Sequence, residues 1–399
     1  MIRCTLYKIK KKEWEKYGRC PHIYHCTSYG NETCIRTHDL YITNKAFNPK
    51  KDVGRFFKEE VKSLAKEQKA ELKSDKMKVL HIGAAGMEPT LLTEYYRKKG
   101  IVSHMLLHSM TNVRVNYDIN LSVSPYLFSV AHNIRSMIKN LFNGNLRDIF
   151  KYDVYHIHWG AFLLPNQIDL WFLKNKLGKK VLLDWKGQDV RMWDFNRIPW
   201  LTKIRQTATT PDLVDYSLFP GQIEWVPFGI DLGKLDSMRE KKKFSEDNPL
   251  IIHPTNNWPV KGTESILRVI KELKKEKRYK FRFLLNNNLP YDQTLRNYLR
   301  SDICVDWMNH LYGTFCAVSI ENMALGNVVC ASTNNQHMEL MPDCPVVDVQ
   351  PHSLKEKLIY LIENPSVRKD LGRKGVKHTH KVYDIKNSAK RYLEIYNEL

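Results

Sequence analysis

The chain has no Cys-x-x-Cys pair, no Asp-x-Asp, no short internal repeat and no low-complexity tract. Structural zinc sites usually build on tight cysteine pairs, so that absence weighs against the zinc reading invited by "CPHIYHC" (Cys20–Cys26). A small extension bearing free thiols is the plainer alternative. No apolar run approaches the length of a membrane span. The amino terminus is basic but lacks the continuous apolar segment of a secretory signal. Eight cysteines without such a signal point to reduced thiols and a cytoplasmic protein. Alternating exposed aromatics on strands, which an RNA platform needs, are not found, so no nucleic-acid partner is expected.

Hydrophobic residues make up 43% of the 399, enough for a real core and for two domains of ordinary size. The 63 Lys and Arg outnumber the 43 Asp and Glu, giving a formal net charge of +20. That balance favours anionic partners such as nucleotides or an acidic membrane face. The charge is scattered in short runs (Lys10–Lys12, Lys179–Lys180, Lys241–Lys243, Lys274–Lys275), so it carries little weight alone.

Three segments follow from the pattern. Residues 1–76 hold four of the cysteines, several histidines and a basic helical stretch, and read as an N-terminal extension of unknown role. From Lys78 a regular alternation begins. "KVLHIG" is a short buried strand with Gly86 in the turn after it, and "TLLTEYYRKKG" is a helix ending at Gly100. "SHMLLH", "YDVYHIHW", "KVLLDWKG" and "IEWVPFG" add strands with helical stretches between most of them. Strands alternating with helices predict a parallel α/β sheet over 77–231. The charged stretch Leu232–Asn248 has little hydrophobic pattern and reads as a hinge. The alternation then restarts for a second unit, 232–399, with strands at "LIIHPT", "FRFLLN", "DICVDW", "NVVCAS" and "PVVDV". Its first helix carries Ile266, Val269, Ile270 and Leu273 on one face. The fold class is therefore α/β, two doubly wound Rossmann-like sheets in series facing a cleft, with the final helix packing back on the first.

In doubly wound sheets ligands sit beyond the carboxyl ends of the strands. In "HPTNNWPVKGTES", Lys261 and Gly262 precede a helix for which Thr263 is the expected N-cap. A lysine beside helix-start N–H groups can hold a diphosphate; a surface lysine in a loop is the bland alternative. In "SDICVDWMNHLYGTF" a strand ends in Asp306. The helix that follows, Phe315–Leu325, is apolar or small almost all round and closes at Gly326, yet it carries Glu321. A carboxylate there is costly unless something satisfies it. It is either paired internally or the acceptor for two neighbouring hydroxyls of a ribose.

Together these stretches resemble the C-terminal half of the group 1 (family 4-like) glycosyltransferases of the GT-B fold, and "HIGAAGMEPTLLTEYYRKKGI", "YDVYHIHWG", "WKGQDVR" and "WVPFGIDL" extend the resemblance upstream to Lys78. The resemblance implies that Lys261 grips the donor diphosphate and that Glu321, in Glu321–Asn322–Met323–Ala324–Leu325–Gly326, binds the nucleotide ribose. It places Gly262, Gly313 and Thr314 beside the donor, His158 in the catalytic cleft, and Gly86, Asp189 and Arg191 on the acceptor. From the residues alone, His156 could be the inward histidine instead, and Asp189 and Arg191 could form a salt-bridged loop. Many relatives have a second glutamate where Gly313 stands and an arginine where Trp258 stands; both departures bear on which sugar is taken and how tightly.

The resemblance implies a retaining transfer from a nucleotide-diphosphate sugar to a glycan or lipid-linked acceptor, with no metal and no other cofactor. The rivals are a GT-B sugar-nucleotide epimerase and a non-enzymatic basic module for nucleic acid or anionic membrane. The amphipathic stretch "PYLFSVAHNIRSMIKNLFNG" is core or interfacial. With the net charge and a lipid-linked acceptor, it predicts weak peripheral association with an anionic inner membrane face.

Overall fold

The computed structural model describes residues 72, 74–83, 87–107, 118–120, 148–158, 168–187, 203–214, 223–308, 315–334 and 338–399. Two all-parallel sheets organise them. The first joins β1 (Lys78–Ile82), β2 (Val102–Leu107), β3 (Ile119–Asn120), β4 (Val154–His158), β5 (Lys180–Trp185), β6 (Arg205–Ala208) and β7 (Ile223–Trp225). Their spatial order is β3-β2-β1-β4-β5-β6-β7. Helices α1 (Glu88–Lys98) and α2 (Ile168–Asn175) lie in its crossovers. In β1, β2, β4 and β5 nearly every residue is buried, as expected when both faces of a parallel sheet are covered.

The chain passes to the second sheet through α3 (Leu232–Arg239). Of the charged stretch Leu232–Asn248, the first eight residues are this helix and the rest carry turns without a regular element. The Asp231 side chain accepts from the Lys234 amide and starts the helix; buried Leu232 and Leu235, half-buried Met238 and an Arg239 hydrogen bond to the Ala324 carbonyl anchor it. The second sheet comprises β8 (Leu250–Thr255), β9 (Arg282–Asn287), β10 (Ile303–Val305), β11 (Val328–Ala331) and β12 (Val347–Asp348), in the order β12-β11-β10-β8-β9. Helices α4 (Trp258–Lys261), α5 (Thr263–Lys275), α6 (Tyr291–Arg300) and α7 (Ala317–Ala324) connect the strands. α5 buries Ile266, Val269, Ile270 and Leu273, the face its periodicity marked.

Helices α8 (Leu354–Glu363) and α9 (Pro365–Val382) complete this unit, and α10 (Ile385–Glu398) returns to the first. Ala389, Tyr392, Ile395 and Tyr396 of α10 share a buried cluster with Val79, Leu92, Tyr96, Val154 and Leu182. The Tyr96 hydroxyl donates to the Ala389 carbonyl at 2.9 Å. Leu72, within the stretch read as an extension, is also buried in the core of the first sheet. The rest of residues 1–71, with the Cys and His residues that raised zinc, and the stretch Pro125–Gly144 that raised membrane binding, lie outside the described residues. Among those that are described, no helix is long and apolar enough to cross a membrane.

Candidate functional site

At the carboxyl edge of the second sheet, local chemistry builds the lysine loop. Asn257 caps the four-residue α4, its side chain accepting from the Val260 amide at 3.4 Å. Gly262 then takes φ +67°, ending α4 and starting α5 in one residue. Gly262, not Thr263, is the N-cap. A Cβ there would lie 2.9 Å from Met308 Cβ, so glycine is required by both the conformation and the space. The Thr263 side chain instead meets His253, whose Nε2 lies 2.8 Å from Thr263 Oγ1 and whose Nδ1 lies 2.6 Å from the Val305 carbonyl. Burial pushes the His253 imidazole down to about 4, so at neutral pH it ties β8, β10 and the start of α5 without adding charge.

Lys261 is buried, not a surface lysine. Its ammonium contacts the Asp306 carboxylate and lies 4.4 Å from the centroid of the Trp307 ring. Burial opposes its charge, but Asp306 outweighs burial and holds its pKa above the ordinary lysine value. The other Asp306 oxygen accepts from Ser319 Oγ at 2.6 Å, and Ser319 lies two residues before Glu321 on α7. One carboxylate therefore ties the lysine loop to the helix that carries Glu321. The Glu321 Oε1 atom accepts from the Tyr291 hydroxyl at 2.7 Å. Burial raises the Glu321 carboxyl to about 7, with the Tyr291 hydrogen bond pulling the other way. Glu321 thus has an internal partner, but one that comes from an exposed side chain at the tip of α6.

His158 stands at the end of β4, as the motif suggested, but its ring is fully buried and does not face an open cleft. β1, β4 and β5 run in register, so His81, His156, His158 and Asp184 project from the same face of the sheet, where α10 covers them. His158 Nε2 lies 3.0 Å from His81 Nδ1, and His158 Nδ1 lies 3.3 Å from Asp184. His156 Nδ1 lies 2.7 Å from the Tyr396 hydroxyl. Both histidines of the pair are inward. Lys186 bridges Asp184 at 2.5 Å and Glu88, and Glu88 in turn accepts from the Gly229 amide at 2.8 Å. Burial lowers the pKa of all three imidazoles, so the cluster is a layer of neutral rings beside an ion triad.

The nitrogens of His81, His156 and His158 lie within 4.8 Å of one another, a spacing that could hold a cation. The Lys186 ammonium on Asp184 works against a second positive charge in the same dry space. We read the cluster as a hydrogen-bonded support for the strand ends.

Of the residues singled out from sequence, Lys261, Gly262 and Glu321 gather at one edge of the second sheet, joined through Asp306. His158 lies in the first sheet. Gly86, Asp189, Arg191, Gly313 and Thr314 lie outside the described residues. The functional partners missed in sequence are Ser319 and Tyr291, together with Asp306 as the ion-pair partner of Lys261. A carboxylate closing the apolar strand "ICV" was the available signal for Asp306; Tyr291 had none.

Two parallel, doubly wound sheets in series, with a terminal helix that returns to the first, are the pattern of the GT-B fold, and that is the fold of this chain. HepE of Anabaena, solved in complex with UDP-glucose, matches with a TM-score of 0.52 at 12% identity, over 81% of this chain and 100% of that one. The catalytic domain of starch synthase IV of Arabidopsis thaliana, bound to ADP and acarbose, matches at 0.50 and 12%, over 81% and 99%. A UDP-N-acetylglucosamine 2-epimerase matches at 0.50 and 14%, over 80% and 95%. No protein-family model and no curated protein sequence matches the chain.

Proposed function

We propose that the protein is a retaining glycosyltransferase that moves a sugar from a nucleotide-diphosphate sugar to a glycan or lipid-linked acceptor. The observation that carries this reading is the pairing of a charged lysine and a ribose-suited glutamate at one strand edge, Lys261 and Glu321, linked through Asp306 and Ser319. Breaking the anomeric bond builds oxocarbenium character on the sugar and negative charge on the departing phosphate. In this reading the Lys261 ammonium and the N-terminus of the 13-residue α5 beside it neutralise that leaving group. Glu321 orients the nucleotide by accepting from the ribose hydroxyls. His158, being buried, supports the strand ends and does not touch the reacting sugar.

A second reading, a sugar-nucleotide epimerase, is favoured by one observation: an epimerase matches this chain as well as the transferases do. One experiment separates them. The protein is incubated with UDP-, GDP-, ADP- and CDP-sugars, with and without oligosaccharide and polyprenyl-phosphate-linked acceptors. Acceptor-dependent release of nucleoside diphosphate supports transfer. An acceptor-independent change of the sugar at constant nucleotide sugar supports epimerisation, and no turnover or binding of any donor refutes both.

A further inference from the structure

The two groups that would receive the donor are both occupied, and each is occupied by a close chemical likeness of what the donor would bring. Lys261 holds a carboxylate where a phosphate would come, and Glu321 holds a hydroxyl where a ribose hydroxyl would come. The two occupants differ in how they are fixed. Asp306 is fully buried at the end of β10 and is braced by Ser319, so it cannot leave. Tyr291 is 41% exposed at the first turn of α6, with the Lys234 ammonium 5.3 Å from its ring centroid, so its hydroxyl can turn out to solvent.

We propose that Tyr291 is an internal stand-in for the donor ribose, exchanged when a nucleotide binds, and that Asp306, which stays, sets how strongly the lysine loop favours the more highly charged phosphate. The inference rests on the donor-site reading above. Because Asp306 stays in place, its negative charge remains beside Lys261 when the ligand arrives. That repulsion grows with the charge of the ligand, so it opposes a diphosphate more than a monophosphate. Asp306 thus damps the preference for diphosphate that an unpaired Lys261 would have. Tyr291 acts differently: its hydroxyl competes with the ribose, which mono- and diphosphate nucleotides share, so it tunes their affinities together.

The test is calorimetric titration of the full chain and its D306N and Y291F variants with UDP and UMP, GDP and GMP, ADP and AMP, CDP and CMP, and with inorganic pyrophosphate. In D306N the preference for diphosphate over monophosphate should rise by about tenfold, mostly through tighter diphosphate binding. In Y291F both nucleotides of the preferred base should tighten together, by roughly threefold or more, while pyrophosphate, which has no ribose, is unaffected. Should D306N fail to fold, Ser319→Ala, which removes a hydrogen bond from Asp306 but leaves its charge, should shift the preference the opposite way, toward monophosphate, and to a smaller degree. An unchanged preference in D306N or S319A, or weaker nucleotide binding in Y291F, overturns the stand-in proposal while leaving the donor site intact. If no nucleoside diphosphate binds the wild-type chain or either variant, the donor-site reading itself fails and this proposal with it.

Discussion

Replacing Glu321 with glutamine keeps the side chain's shape and its ability to accept from Tyr291, and removes only the charge. Burial lifts the Glu321 carboxyl from the ordinary 4.5 to about 7 in the folded chain. At about 1.4 kcal/mol per pH decade, that difference means ionised Glu321 costs the fold roughly 3 kcal/mol. For an acid whose folded-state pKa is raised, the favourable neutral form is fully present below the ordinary value, and its contribution is lost as pH rises through about 7. The wild-type chain should therefore lose stability relative to Glu321→Gln between about pH 5 and about pH 8, the gap approaching roughly 3 kcal/mol at the upper end. Urea unfolding of both proteins across that range measures it. Donor affinity should move the opposite way, since the ribose hydroxyls donate best to the ionised carboxylate. Wild-type affinity for a nucleotide sugar should rise through about pH 7, while the variant should bind more weakly by about 2 kcal/mol at high pH and lack that rise. A stability gap independent of pH would refute the argument, because it would mean that the carboxyl is not perturbed by burial. An unaltered donor affinity would take Glu321 out of the site.

Lys261→Met should abolish most turnover, and because it leaves the buried Asp306 carboxylate unpaired it should also cost about 3 kcal/mol of stability. The double variant Lys261→Met/Asp306→Asn should recover stability in urea titrations but not turnover; recovery of both would remove the lysine from the mechanism. Gly262→Ala should cost about 1–2 kcal/mol through its φ of +67° and the contact with Met308, with donor binding weakened more than thermal stability alone accounts for. Arg368, buried and donating to the carbonyls of Leu361, Ile362, Ser245 and Glu246, should cost about 3 kcal/mol when changed to methionine, with donor affinity of the folded fraction unaltered. Removal of residues 1–70 should leave a folded, donor-binding protein. Removal through residue 75 should cost about 2 kcal/mol more, because it takes away the buried Leu72.

The parallel sheets were legible because buried parallel strands have to be short apolar runs. "KVLHI", "KVLLDW" and "LIIHPT" stand out for that reason. α5 was legible because one polar and one apolar face force a period on its residues. α3 was not, because its packing residues Leu232, Leu235 and Met238 are few and are interleaved with glycine, serine and charged residues. At the site, residue type marked Lys261 and Glu321, but their partners lie 45 and 30 residues away in sequence, beyond the reach of any local pattern. The burial of His158 was hidden for the same reason: its cover is α10, whose Tyr396 meets His156 across 240 residues. Ring nitrogens at a strand end look exposed until a distant helix closes over them.

That returning helix also orders events during synthesis. β1 and α1 emerge early from the ribosome, yet the apolar face that includes Val79, Leu92 and Tyr96 is completed by Ala389, Tyr392 and Ile395. The Tyr96–Ala389 bond closes a loop of 293 residues. Until α10 is made, the first sheet must wait with part of its core and its histidine layer uncovered, while the second sheet, whose strands span residues 250–348, can assemble in the meantime. The nascent first half is therefore a substrate for chaperones and a point of aggregation risk, and ribosome stalling or truncation before about residue 385 releases a chain whose N-terminal unit is translated but cannot finish folding.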